Sequence, residues 1–209
     1  MARIAKAVVE ASEELARRDR VMRRIVAEVG PADLRRGRPA RTHFAELARA
    51  ICYQQLAGAA ASAIHGRFDA LFDGDGPTPE AVLALPVATL RSVGLSGNKT
   101  ASIRDLAEKV VAGDVELDRV GRLPDDEIVR ELTLVRGIGR WTAEMFLMFQ
   151  LGRLDVWPVD DFGVRKGYGM LYGLTEMPTP KVLETLGEKF RPYRSVAAWY
   201  CWRAADTRN

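Results

Sequence analysis

Apolar residues recur at three-to-four spacing from Ile4 through Val8, Ala11 and Leu15, and again at Val21, Ile25 and Val29, with Arg and Glu between them. That periodicity is the mark of a helix that buries one stripe, and it predicts one helix over residues 3–29, stopped at Gly30-Pro31. Residues 43–57 and 59–72 carry a second pair of helical patterns separated near Gly58, and Gly74 to Pro79 reads as a loop. Shorter amphipathic helices are predicted over 79–92, 98–112 and 124–135, punctuated by Gly94, Gly97, Gly113 and Leu123-Pro124. A helix over Trp141 to Leu151, a loop through Trp157-Pro158, a helix from about Asp161 to Leu171 and two last helices near 178–189 and 194–205 complete the chain. No stretch alternates strictly enough to demand a sheet, and no repeat, low-complexity tract or linker divides the sequence. The expected fold is all-α: one unit over 1–209 made of two helical lobes with a cleft between them.

Composition narrows the class only modestly. The 209 residues are 47% apolar, enough for a hydrophobic core, and 31 Lys and Arg against 28 Asp and Glu give a net charge of +3, a weak lean toward an anionic partner. The basic segment Arg35-Arg36-Gly37-Arg38-Pro39 is either a phosphate contact or a solvated loop. Cys52 and Cys201, the only cysteines, both lie in apolar helical patterns, so neither a disulfide framework nor a cysteine-rich cluster can be built. With no run of about 18 apolar residues and no export-type apolar core behind Met1, the chain is expected to be soluble, cytoplasmic and free of the membrane.

Candidate chemistry concentrates between residues 134 and 166. Leu134-Val135-Arg136-Gly137-Ile138-Gly139-Arg140-Trp141-Thr142-Ala143 sets two glycines, two apart, between one apolar helix and the next. Such a turn can offer backbone N–H groups at a helix N-terminus to a phosphate oxygen, with Ile138 plugging the hairpin; alone it is also a plain helix–helix turn. Some twenty residues on, Trp157-Pro158-Val159-Asp160-Asp161-Phe162-Gly163-Val164-Arg165-Lys166 places paired acids at a helix start. One acid is expected to cap the helix and the other to face a cleft.

The stretch from Leu134 to Lys166 resembles the hairpin, Gly/Pro loop and aspartate of the helix-hairpin-helix DNA glycosylases, with the hairpin at about 126–150, and looks most like the 3-methyladenine DNA glycosylase II branch. Three further passages agree in order: Ala50-Ile51-Cys52-Tyr53-Gln54-Gln55-Leu56, Val93-Gly94-Leu95-Ser96-Gly97-Asn98-Lys99, and Arg191-Pro192-Tyr193-Arg194-Ser195-Val196-Ala197-Ala198-Trp199-Tyr200. Together they cover roughly residues 45–203, and the β-rich N-terminal domain of some members is expected to be missing.

The resemblance implies a monomeric, monofunctional base excision repair glycosylase that acts on double-stranded DNA containing damaged bases, flips an alkylated purine out of the stack and leaves an abasic site. 3-Methyladenine is the implied substrate, with 7-methylguanine and ethenoadenine as further candidates. Asp161, matching the second acid of the family pair, is the implied catalytic carboxylate, which steadies an oxocarbenium-like sugar and aligns water. Asp160 is left as cap or support. Trp141, Tyr193 and Tyr53 are candidate walls of an electron-rich pocket for a cationic purine, and Met145 stands in the pocket helix where an aromatic fits the branch better. Trp141 occupies the place of the lysine that strand-cutting members use for a Schiff base, so no lyase step is expected. Gln54, Gln55 and Leu56, or the loop at Leu95 and Ser96, are wedge candidates. Lys99, Gly137, Gly139, Arg140 and Thr142 are candidate phosphate contacts, and His65 is a candidate groove contact or a surface histidine. No cofactor is required and no iron–sulfur cluster is expected. The resemblance does imply a monovalent cation, Na+ or K+, on the backbone carbonyls of Thr133, Val135 and Ile138. Two other readings stay open: a non-catalytic hairpin module that only grips DNA, and a glycosylase for oxidised or deaminated bases.

Overall fold

The computed structural model describes residues 2–34, 41–56, 58–72, 74 and 76–207, so the basic segment at 35–39 lies outside the described residues. Among them there are twelve α-helices, two short 3-10 turns and no strand. The helices are α1 (Ala2–Arg18), α2 (Arg20–Val29), α3 (His43–Tyr53), α4 (Gly58–Asp69), α5 (Pro79–Ala84), α6 (Val87–Ser92), α7 (Gly97–Ala112), α8 (Asp125–Leu132), α9 (Arg140–Phe149), α10 (Phe162–Tyr172), α11 (Pro180–Gly187) and α12 (Arg194–Thr207). Among the described residues, no helix is long and apolar enough to cross a membrane. The chain forms two compact units: Met1–Arg38 with Leu147–Asn209, and Pro39–Phe146, the division falling inside α9.

Two predicted helices are each broken in two. Residues 3–29 part at Asp19, whose extended backbone (φ −129°) and side chain cap α2: Oδ1 accepts from the N–H groups of Val21 at 2.8 Å and Met22 at 3.0 Å. An aspartate favours capping over a helix interior because it satisfies N–H groups that have no intrahelical partner. Residues 79–92 part at Leu85-Pro86, since proline disfavours helical geometry in the residue before it.

In the unit holding both termini, α10 packs on α12 so closely that a Cβ on Gly167 would overlap the Cys201 carbonyl. The core there is built from Leu15, Met22, Val164, Phe190 and Tyr200, with Trp157 set edge-on to Tyr168. In the Pro39–Phe146 unit the apolar faces of α3, α7 and α8 supply the fully buried Leu47, Ile51, Ile103, Leu106, Ile128 and Leu132. Burying a Leu or Ile side chain contributes about 1.5–3 kcal/mol.

Candidate active site and nucleic-acid interface

The hairpin joins α8 to α9 within the Pro39–Phe146 unit. Gly137 has φ +76°, a left-handed conformation that side-chain-bearing residues resist, and a Cβ there would stand 2.6 Å from Ser102 Oγ. Gly139 differs: a Cβ on it would meet nothing within 4 Å, and its φ is not positive. Neither backbone conformation nor internal packing accounts for a glycine at 139, so the space beside it suits something approaching from outside. Ile138 is buried as the hairpin plug, and its N–H donates to the Val135 carbonyl at 3.0 Å.

Helix α7 supports this turn from beneath. Asp105 Oδ2 accepts the Arg136 N–H at 2.7 Å, while Oδ1 accepts from Lys109 Nζ at 2.8 Å. Burial acts to raise the Asp105 pKa, but the hydrogen bonds from Lys109 and from the Arg136 backbone prevail and hold it below its ordinary value. At the start of α9, Arg140 is exposed and pairs with the buried Glu144 at 2.9 Å, and Trp141 is 46% exposed. Thr142, expected to reach phosphate, is buried. Its side chain faces the interior because positions three and four residues apart line the packed stripe of a helix. Met145 is half-buried.

The wedge candidates separate sharply. Leu95 is 3% exposed and belongs to the core, which corrects its assignment as a wedge: a side chain packed inside its own unit cannot enter a base stack. Gln54-Gln55-Leu56 follows the end of α3, with Leu56 39% exposed and Gln55 at φ +56°, the only positive φ outside glycine among the described residues. Lys99, expected on phosphate, instead donates from Nζ to the Cys52 carbonyl at 2.8 Å, closing the C-terminal end of α3. Burial lowers the Lys99 pKa. His65, a candidate groove contact, is buried with Nε2 3.4 Å from Asp69 Oδ1, so neither surface role for it holds.

The carboxylate lies in the unit that holds both termini. Asp161 is the N-cap of α10, and its Oδ1 accepts from Val164 N–H and from Trp202 Nε1, both at 2.8 Å. It is 9% exposed, whereas Asp160 is exposed. The expected division of labour between the two acids is thus corrected: the acid that caps is the one that is buried, because a cap must turn toward the helix end it satisfies. Trp202, not foreseen, stacks on Phe149 with centroids 5.7 Å apart, and Gly163 gives it room, since a Cβ there would lie 2.7 Å from its Cδ1. The sequence offers only a faint sign of it, a tryptophan in the last apolar helix.

Two expected pocket walls are already in use. The Arg49 guanidinium sits 4.4 Å from the Tyr53 ring centroid and that of Arg18 5.4 Å from the Tyr193 centroid. A cation over one face removes that face from use by a cationic base. The three carbonyls implied as cation ligands all belong to the hairpin. Val135 O accepts the Ile138 N–H, and none of the described hydrogen bonds ends on Thr133 O or Ile138 O, so the donor set suits a hard monovalent ion.

Residues 48–192 match the family described as HhH-GPD superfamily base excision DNA repair protein. DNA-3-methyladenine glycosylase 1 of Schizosaccharomyces pombe is 35% identical over 204 residues, spanning 97% of this chain and 90% of the relative. The solved structure of the Schizosaccharomyces pombe 3-methyladenine DNA glycosylase in complex with abasic DNA superposes with a TM-score of 0.81 at 36% identity, covering 93% of this chain and 95% of that one. A DNA-3-methyladenine glycosidase from Bacillus halodurans gives 0.83 at 36% identity, covering 92% and 87%. This chain is therefore a member of the helix-hairpin-helix base excision DNA repair superfamily.

Proposed function

We infer that this protein is a monofunctional DNA glycosylase that hydrolyses the N-glycosidic bond of alkylated purines in duplex DNA, 3-methyladenine first among them, and leaves an abasic site. The observation that carries the reading is the Asp161 carboxylate, buried and fixed by two donors on one oxygen. A rigid anion suits a reaction in which positive charge grows on the sugar, because a preorganised group need not reorient as the charge appears. Water adds to the sugar carbon and gives up its proton to the Asp161 carboxylate as the C–N bond breaks and the base departs with the bonding electrons, and an alkylated, cationic purine, which leaves neutral, needs little help to go. Trp141 in place of an amine leaves no nucleophile there for strand cleavage.

Support for the substrate class comes from relatives named for 3-methyladenine that span most of this chain. The hairpin amides around Gly139 bind a backbone phosphate, and Leu56 enters the stack. The carbonyls of Thr133, Val135 and Ile138 hold a monovalent cation whose charge favours the phosphate. A cytoplasmic setting belongs to the same reading and fits two buried free thiols, Cys52 and Cys201.

Incubation with duplexes carrying 3-methyladenine, 7-methylguanine, ethenoadenine, hypoxanthine or 8-oxoguanine, scored as alkali-labile sites, tests the reading. Asp161→Asn is expected to lose base release by about 10²–10³-fold while DNA affinity holds or rises. Wild-type turnover by that variant, or no release from any alkylated duplex by the parent protein, overturns it.

A further inference from the structure

Within the Pro39–Phe146 unit, the turn that carries Leu56 is held at two points by side-chain hydrogen bonds to distant backbone. Lys99 Nζ closes the last turn of α3 at the Cys52 carbonyl, 2.8 Å away. Gln54 Nε2 reaches 83 residues along the chain to donate to the Gly137 carbonyl at 2.9 Å. Since a carbonyl only accepts, the carboxamide must present its NH2 group here. Between these ties and Leu56 stands Gln55, whose left-handed backbone a side-chain-bearing residue adopts only when its surroundings impose it. Gly137 is itself pinned from the other side, because the preceding N–H, that of Arg136, is bound by Asp105 and its own Cα faces Ser102.

We propose that Gln54 is a positioning residue: by bonding to the Gly137 carbonyl it sets the height and direction of the Leu56 turn against the phosphate-gripping hairpin, so that gripping the backbone and wedging the stack occur in one register. The inference rests on the glycosylase reading and adds to it a residue that touches neither base nor sugar. Gln54 acts through Leu56, and its hydrogen bond matters to base extrusion rather than to bond cleavage.

Single-turnover excision of 7-methylguanine from duplex DNA tests this in wild type, Gln54→Leu, Leu56→Ala and the double variant, with Tm recorded for each. Gln54→Glu, similar in shape but with an oxygen facing the carbonyl, stands in should Gln54→Leu fold poorly. Gln54→Leu is expected to slow excision by about tenfold, the loss of one hydrogen bond. It should add nothing further in the Leu56→Ala background, and it should recover to near the wild-type rate when the lesion sits in a single-nucleotide bulge, already unstacked. A wild-type rate for Gln54→Leu and Gln54→Glu, a loss that multiplies with that of Leu56→Ala, or no recovery on the bulge overturns the proposal. Absence of excision by wild type itself would instead sink the enzymatic reading.

Discussion

The two units build their proposed functional parts from different materials. In Pro39–Phe146 the proposed interface is made of backbone: a left-handed glycine, an unobstructed one, amides at the start of α9 and a strained turn beside Leu56. In the other unit it is one carboxylate held by the amide that α10 needs capped and by an indole from α12. A phosphate repeats along any DNA strand and calls for no particular side chain, so amides and glycines suffice to hold it. A charge that grows on a single sugar demands a fixed anion, and the two hydrogen bonds on Asp161 suit it to that proposed role.

A core truncation separates scaffold from surface in the backbone-built unit. Leu95→Ala should cost about 2–5 kcal/mol in unfolding free energy, whereas Leu56→Ala should leave Tm nearly unchanged; equal Tm losses would return Leu95 to the wedge candidates. Trp202→Phe next probes the side-chain-built unit. It keeps the ring stacked near Phe149 but withdraws the N–H from Asp161, and single-turnover excision should fall by an amount worth about 1.5–3 kcal/mol with DNA affinity unchanged. If affinity fell and the rate held, the contrast between grip and chemistry would fail.

Gly137→Ala should show the opposite signature. The left-handed backbone costs an alanine about 1–2 kcal/mol, and Ser102 must move, so abasic-DNA affinity should weaken while the rate on saturating substrate holds.

The smallest effect is in pH. The only two histidines, His43 and His65, both lie in Pro39–Phe146, and burial lowers both from their ordinary value of 6.5. A histidine held neutral in the folded state takes up its proton more readily when unfolded. This contribution is therefore complete above about pH 6.5 and is lost as pH falls below it. Hydrogen exchange between pH 7.5 and 5.5 should show protection falling first in Pro39–Phe146; equal loss in both units would count against it.

Much of this was legible from the sequence, for identifiable reasons. The hairpin over α8 and α9 was readable because two glycines between apolar helical patterns are a local signal, and the start of α10 because its acids and apolar run are adjacent. The paired acids stand out along the chain, but which of them caps α10 does not, since two consecutive aspartates look alike until one of them turns toward a helix end. The helix breaks at Asp19 and Pro86 leave no mark in the periodicity because apolar spacing continues across both, and spacing does not register a cap.

The order of residues alone specifies an all-helical chain with a glycine hairpin, a paired acid and no amine at position 141. Which side chains stay available follows from the folded packing. Leu95, Thr142, Lys99 and His65 all look like surface chemistry along the chain, yet three are buried and the fourth is bonded to the end of α3. Trp202 and Gln54 matter only through partners 41 and 83 residues away. Helical periodicity shows that a residue shares a face with its neighbours three and four along. Whether that face meets solvent or another helix depends on contacts distant in sequence, and these are fixed only when the chain has folded.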